Sequence, residues 1–115
     1  MNKEWVMTDI MEINYSASEG VVVLEFYDHS KNSTITTTFK DVLFFKISNT
    51  SGDMKTTLIA DITIVKIYDM KLKGLIDMGY DFIDVGMMPP VFYKLHAEGS
   101  CVLDLIATDC FLETK

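Results

Sequence analysis

The strict alternation in the last quarter of the chain constrains the fold more than any other feature. Val91, Tyr93, Leu95 and Ala97 alternate with Phe92, Lys94, His96 and Glu98. Past Gly99, Cys101, Leu103, Leu105 and Ala107 alternate with Val102, Asp104, Ile106 and Thr108. A period of two belongs to a strand with one buried face. Two such runs around a glycine predict an antiparallel hairpin. A two-residue loop at Gly99-Ser100 would set Leu95 opposite Asp104. A three-residue loop, Glu98-Gly99-Ser100, would set Leu95 opposite Leu103 and Tyr93 opposite Leu105, with Lys94 facing Asp104 on the other side. A slip of one residue reverses the faces, so the apolar pattern selects the second register.

Runs of β-branched and aromatic residues fill most of the remaining chain, and such residues fit a pleated, half-buried surface. They predict strands over residues 6–15, 21–27, 34–39 and 61–65. In the third run Ile35, Thr37 and Phe39 share one face and Thr34, Thr36 and Thr38 the other, so one side is wet. Residues 42–47 are apolar on both faces and read as a separate buried strand, with a helical turn the alternative that periodicity does not separate in so short a run. Residues 48–53 read as a hairpin tip. After Ile67 the period changes. Met70, Gly74, Leu75 and Met78 recur at helical spacing and predict one short helix over residues 69–78, capped by Gly79. Residues 82–85 have strand character, and Pro89-Pro90 stops any regular element. The sum is a mainly β chain: an antiparallel sandwich or open barrel of about seven strands with one short helix, in one domain spanning 1–115.

The formal charge is −7 and the pI is near 4.6. All ten cations are lysines, and the chain has neither arginine nor glutamine. A negative field weighs against nucleic acid and anionic lipid as partners. The first nine residues carry acids where a signal peptide would have its apolar core, and no apolar run is long enough to span a membrane. Both points predict a cytoplasmic protein, and the lysine-, isoleucine- and asparagine-rich composition is typical of low-GC bacterial genes.

Cys101 and Cys110 fall in one apparent strand. Nine residues at about 3.3 Å each separate them by roughly 30 Å, and the odd spacing predicts opposite faces. No disulfide spans that distance. Reduced thiols suit the cytosol.

Few residues carry chemistry. His29 and His96 are the only histidines, and no His–Cys spacing supports a metal site, which needs three or four ligands. Cys101 and His96 flank one turn, but parity sets them on opposite faces, so Cys101 reads as a buried structural thiol. No phosphate-binding loop, nucleophile elbow or dinucleotide fingerprint occurs, and no cofactor or catalytic residue is expected. The densest acidic cluster is Asp77, Asp81 and Asp84, with Tyr80 and Phe82 interleaved. The simpler reading is a solvated connection, the functional one a contact for a basic partner. Met87 and Met88, beside the two prolines, are the methionines expected at a surface, whereas most of the eight should fill the core.

The segment Phe92-Tyr93-Lys94-Leu95-His96-Ala97-Glu98-Gly99, leading into Val102-Leu103-Asp104-Leu105-Ile106-Ala107, resembles a hairpin in small, acidic, uncharacterised β-rich proteins of Gram-positive bacteria. Some of these lie beside contact-dependent toxin genes and are suspected immunity proteins. The resemblance covers the last quarter of the chain, rests on a strand pattern and carries over no functional residue. It implies an acidic, cytosolic, protein-binding β domain.

The expectation is therefore a non-enzymatic protein-binding domain, in its sharpest form an immunity-type protein that binds a basic toxin domain. Asp77, Asp81, Asp84, Met87 and Met88 are the candidate contacts, and self-association would run through exposed sheet edges. The alternative is a small-ligand-binding β-barrel with Phe44, Phe45, Tyr68 and Phe92 lining its pocket. A cavity of several hundred Å³ would favour it.

Overall fold

Each run that alternates in the sequence forms a strand, and the strands are longer than the runs. A computed structural model describes residues 2–49, 58–68 and 91–115. These hold six strands: β1 (Asn2–Ser16), β2 (Val21–Asp28), β3 (Ser33–Asn49), β4 (Leu58–Tyr68), β5 (Val91–Gly99) and β6 (Cys101–Thr114). All pairings are antiparallel, and the order β1-β2-β3-β6-β5-β4 closes into a barrel when β4 pairs with β1. The expected sandwich or open barrel is thus a closed one. Among the described residues no strand is terminal in this order, and unpaired edge is left only where β1 and β6 overhang a neighbour. The helix over residues 69–78 and the strand over 82–85 fall outside the described residues, as does most of the loop over 48–53.

Two expected strands are one. The runs 34–39 and 42–47 join across Lys40-Asp41 into β3. Asp41 takes a left-handed conformation (φ 52°), and the register with β6 shifts between Val42 and Phe44. Aspartate tolerates that conformation better than most residues, so a break that reads as a turn is a bulge within a continuous ladder. The corner also moves the inward face. Ile35, Thr37 and Phe39 point in before it, Val42 and Phe45 after it. In β6 the inward residues change from Leu103, Leu105 and Ala107 to Cys110 and Leu112. Cys110 pairs with the buried Phe39, so both cysteines face the core and the opposite faces expected from their spacing are not found. Both thiols are free.

The interior is filled. Phe26, Phe39, Leu24, Ile62, Ile64, Leu95, Leu103 and Leu105 are fully buried and interleave with the small residues Ala60, Ala97 and Ala107. Large and small residues must alternate inside so narrow a barrel. Thr8 and Thr37 are also buried, and their hydroxyls donate to the Ala60 and Leu24 carbonyls (2.8 and 3.1 Å). Ile106 and Phe92 are buried too, on the face opposite the interior, so β5 and β6 are covered on both sides there.

The terminal hairpin has the expected faces and a different register. Leu103 and Leu105 face the core and Asp104 faces out. Leu95 pairs with Leu105, Ala97 with Leu103 and His96 with Asp104. Glu98 pairs with Val102, which leaves Gly99, Ser100 and Cys101 in the turn. The two-residue offset keeps every face, so the apolar pattern cannot detect it. The deciding contact lies on a third strand: the Ser100 amide donates to the Ile59 carbonyl (2.8 Å) and Ser100 Oγ accepts from the Ile59 amide (3.2 Å).

Two irregularities bend β1 from one neighbour to the other. Val6 and Met7 together oppose Asp61, with Met7 in the left-handed region (φ 56°) and its amide held by Asp61 Oδ1 at 2.8 Å. Met11 is the extra residue against β2. Both side chains stand outside, Met7 62% and Met11 58% exposed. These are the two methionines among the described residues, and both are at the surface, at bulges that the sequence pattern does not mark.

Candidate functional site

A filled barrel offers two places for function, its outer wall and its mouths. The outer wall of β1, β2, β3 and β6 carries a transverse row that no sequence motif announces. Glu12 pairs with Glu25, Glu25 with Thr36 and Thr36 with Glu113. Alternation turns all four outward. Like charges directly opposite across an antiparallel pair are destabilising. Here none of the three carboxylates has a lysine within ion-pair distance among the described residues, where every ion-pair contact involves histidine. Asn14 Nδ2 donates to Glu12 Oε1 (2.8 Å), a neutral partner. Thr36 Oγ1, between Glu25 and Glu113, is buried without a hydrogen-bond partner. The neighbouring row ends at Phe111, 54% exposed, with Lys40 Nζ 5.2 Å from its ring centre.

A second row on the wall is compensated. Thr63, His96, Asp104 and Lys46 pair in succession across β4, β5, β6 and β3. His96 Nδ1 lies 2.7 Å from Asp104 Oδ1, and Nε2 lies 3.4 Å from Glu98 Oε2. The pairing partner expected for Asp104, Lys94, instead faces Ile106. Cys101 is buried inside while His96 points out, so the two do not form a nucleophile–base pair. Burial raises the pKa of both thiols, that of Cys110 to about 11, the opposite of an activated cysteine. His29 Nε2 meets Asp9 Oδ2 at 2.9 Å, with Tyr27 edge-on to its ring, and ties the β2–β3 turn to β1. The Lys66 ammonium lies over the rings of Tyr68 and Tyr93, whose phenols raise its pKa, Tyr68 the more. No group of three His, Cys, Asp or Glu side chains is placed to hold a metal ion among the described residues.

The two mouths differ. At one, Tyr15 stacks on Phe45 (centroids 5.4 Å, planes 9° apart). The other holds a half-open cleft of about 480 Å³ between the start of β1, the β2–β3 turn and the end of β6. Trp5, Ile35 and Leu112 supply its apolar lining. Trp5 is braced edge-on against Phe26 at 5.0 Å. Asp28 lines the cleft and is 3% exposed. Its Oδ1 accepts from the Ser30 amide (3.0 Å) and hydroxyl (2.7 Å). Lys3 and Lys31 stand at the rim.

None of Phe44, Phe45, Tyr68 and Phe92, the expected pocket residues, lines this cleft. Phe92 is buried, Phe45 packs on the core and Tyr68 is exposed. The expected contacts Asp77, Asp81, Asp84, Met87 and Met88 lie outside the described residues. Both the acidic row and the cleft escaped sequence reasoning because each gathers residues from segments far apart in the chain. The Asp28-x-Ser30 pattern was the one local signal, since aspartate there nucleates a turn.

No protein-family model matches the chain, and no curated protein does. Among solved structures, an uncharacterised protein from Neisseria gonorrhoeae is similar, with a TM-score of 0.60 over 98% of this chain and 97% of that one. At 15% identity the likeness extends to the fold alone. The fold class is a closed, six-stranded antiparallel β-barrel, and no helix among the described residues is long and apolar enough to cross a membrane.

Proposed function

We propose that this chain is a non-enzymatic protein-binding domain whose partner is basic, as a toxin domain captured by an immunity protein would be. The row Glu12–Glu25–Thr36–Glu113 carries the reading. Two facing glutamates cost the free protein stability, and a lysine or arginine from a partner relieves that cost on binding. The exposed Phe111 gives the same wall an aromatic contact. A net charge of −7 adds long-range attraction for a basic surface. Two free thiols fit a cytosolic setting.

Association kinetics with the partner test this reading. The association rate should fall steeply from low to physiological ionic strength while dissociation changes little. The triple variant Glu12→Gln, Glu25→Gln, Glu113→Gln should associate more slowly and depend less on salt. Glu12→Gln alone should leave the free protein as stable or more so, by up to about 1 kcal/mol. An association rate that ignores both salt and the triple variant refutes the acidic row as the contact.

A second reading, a small-ligand-binding barrel, is supported by the 480 Å³ cleft at the mouth.

A further inference from the structure

We propose that the mouth cleft binds a small zwitterion with an apolar body, the class of the aliphatic and aromatic α-amino acids. The inference deepens the small-ligand reading and is independent of the acidic wall, none of whose carboxylates lines the cleft. Its starting point is Asp28. A carboxylate 3% exposed is costly unless its oxygens are engaged. Oδ1 takes both bonds from Ser30, and Oδ2, which no donor among the described residues reaches, is not enclosed and stays open to the cleft that Asp28 lines. Because Asp28 lines the cleft, a ligand ammonium there supplies the missing counter-charge.

The opposite pole is on the same strand as the aromatic wall. Trp5 pairs with Ile62 and Lys3 with Ile64, both inward residues, so Lys3 and Trp5 share the inward side of β1 at the mouth. Lys31 lies on the turn just beyond Asp28. A carboxylate between the two lysines completes the zwitterion. Trp5, Ile35 and Leu112 then bury the ligand's side chain, and a volume of about 480 Å³ admits an amino acid of the leucine or phenylalanine class. The ionisable lining is two lysines against two carboxylates, Asp28 and Glu4. A ligand with one charge of either sign therefore meets repulsion as well as attraction, and a ligand with both meets a partner for each.

Trp5 is the only tryptophan in the chain, so its fluorescence reports on the cleft directly. The full chain is titrated with leucine, isoleucine and phenylalanine up to roughly 10 mM, a range that captures weak small-ligand affinities. At least one should give a saturable change. For that amino acid, the N-acetyl derivative (no ammonium) and the amide (no carboxylate) should each bind at least about tenfold more weakly. Asp28→Asn keeps an acceptor for Ser30 while removing the charge, and should also weaken binding at least about tenfold. Lys3→Met tests the other pole without touching the turn and should weaken binding of the amino acid while not weakening that of its cationic amide. Circular dichroism and the urea midpoint of each variant show whether it is folded. No saturable response to any of the three amino acids overturns the proposal. So does equal affinity for an amino acid and its two blocked forms, or wild-type binding by both folded variants.

Discussion

Gly99→Ala and Gly20→Ala place the same methyl group in two kinds of difficulty, and comparing them tests how the terminal hairpin is seated. At Gly99 an added Cβ would lie 2.1 Å from the Ile59 carbonyl oxygen and 2.8 Å from Ala60 Cα. Both neighbours are backbone of β4 and cannot rotate aside, so the turn must lift. Lifting it lengthens the Ser100 amide bond to Ile59 and the Ile59 amide bond to Ser100 Oγ. Two hydrogen bonds at about 0.5–1.5 kcal/mol each, plus about 1–3 kcal/mol of overpacking, give about 2–6 kcal/mol. At Gly20 the nearest atom to a new Cβ is 3.8 Å away, and the only cost is the left-handed backbone, φ 65°. That is about 1–2 kcal/mol. Urea unfolding followed by Trp5 fluorescence measures both, with unchanged m-values as the check that the two-state analysis holds. If Gly99→Ala costs no more than Gly20→Ala, the turn does not press on β4 and the register assigned to β5 and β6 is wrong.

Leu105→Ala should cost about 2–5 kcal/mol, since the side chain is fully buried, and Asp104→Ala about 1 kcal/mol, the worth of its bond to His96 near solvent; equal urea midpoints would show that the faces of β6 are misassigned. Thiol titration in denaturant without reductant should find two reactive groups per chain, and in native buffer at pH 8 both should react slowly, because Cys101 is enclosed and a pKa of about 11 leaves only about 0.1% of Cys110 as thiolate. Burial favours the protonated thiol in the folded state, so this contribution to stability is complete below pH 9, the thiol's ordinary value, and is lost as pH rises towards 11. The raised pKa of Lys66 acts in the same direction at higher pH. A urea midpoint that rises from pH 8 to 10.5 would contradict the thiol's contribution.

Alternation revealed the strands and the buried faces, because burial of one side imposes it directly. It revealed Leu103 and Leu105 inward and Asp104 outward for that reason. It could not fix the register of the same hairpin, since an offset of two residues preserves parity and the choice is made by contacts with Ile59 on β4. The bulge at Asp41 reads as a strand break in the sequence, because an aspartate after a lysine is equally at home in a turn and in a left-handed bulge. The face of Cys110 was lost through the same corner, as parity counting assumes a straight strand. The acidic row was illegible for a different reason: Glu12, Glu25, Thr36 and Glu113 become neighbours only through three ladder registers. The cleft likewise gathers Lys3 and Trp5 from β1, Asp28 and Lys31 from the β2–β3 connection and Leu112 from β6.

The asymmetry of the barrel explains why its chemistry collects where it does. Six strands leave an interior just wide enough for their own side chains, and Leu24, Phe26, Phe39 and Leu95 fill it with Ala60 and Ala97 between them. A ligand therefore cannot enter the middle without displacing core. At one mouth the stacked pair Tyr15 and Phe45 lies over that core. At the other, the start of β1 ahead of its Val6–Met7 bulge pairs with β4 and not with β2, and the space beside Trp5 is bordered by polar residues instead. Those same bulges turn Met7 and Met11 outward and let β1 leave β4 for β2. The irregular backbone that closes the barrel is thus also what shapes its one polar mouth among the described residues. A substitution that straightens β1, such as Asp61→Ala, which removes the acceptor for the Met7 amide, should disturb Trp5 and the cleft before it disturbs the core. Trp5 fluorescence changing well ahead of the far-ultraviolet circular dichroism along a urea titration of that variant would be the sign, and coincident transitions would show that the bulge and the core are one cooperative unit.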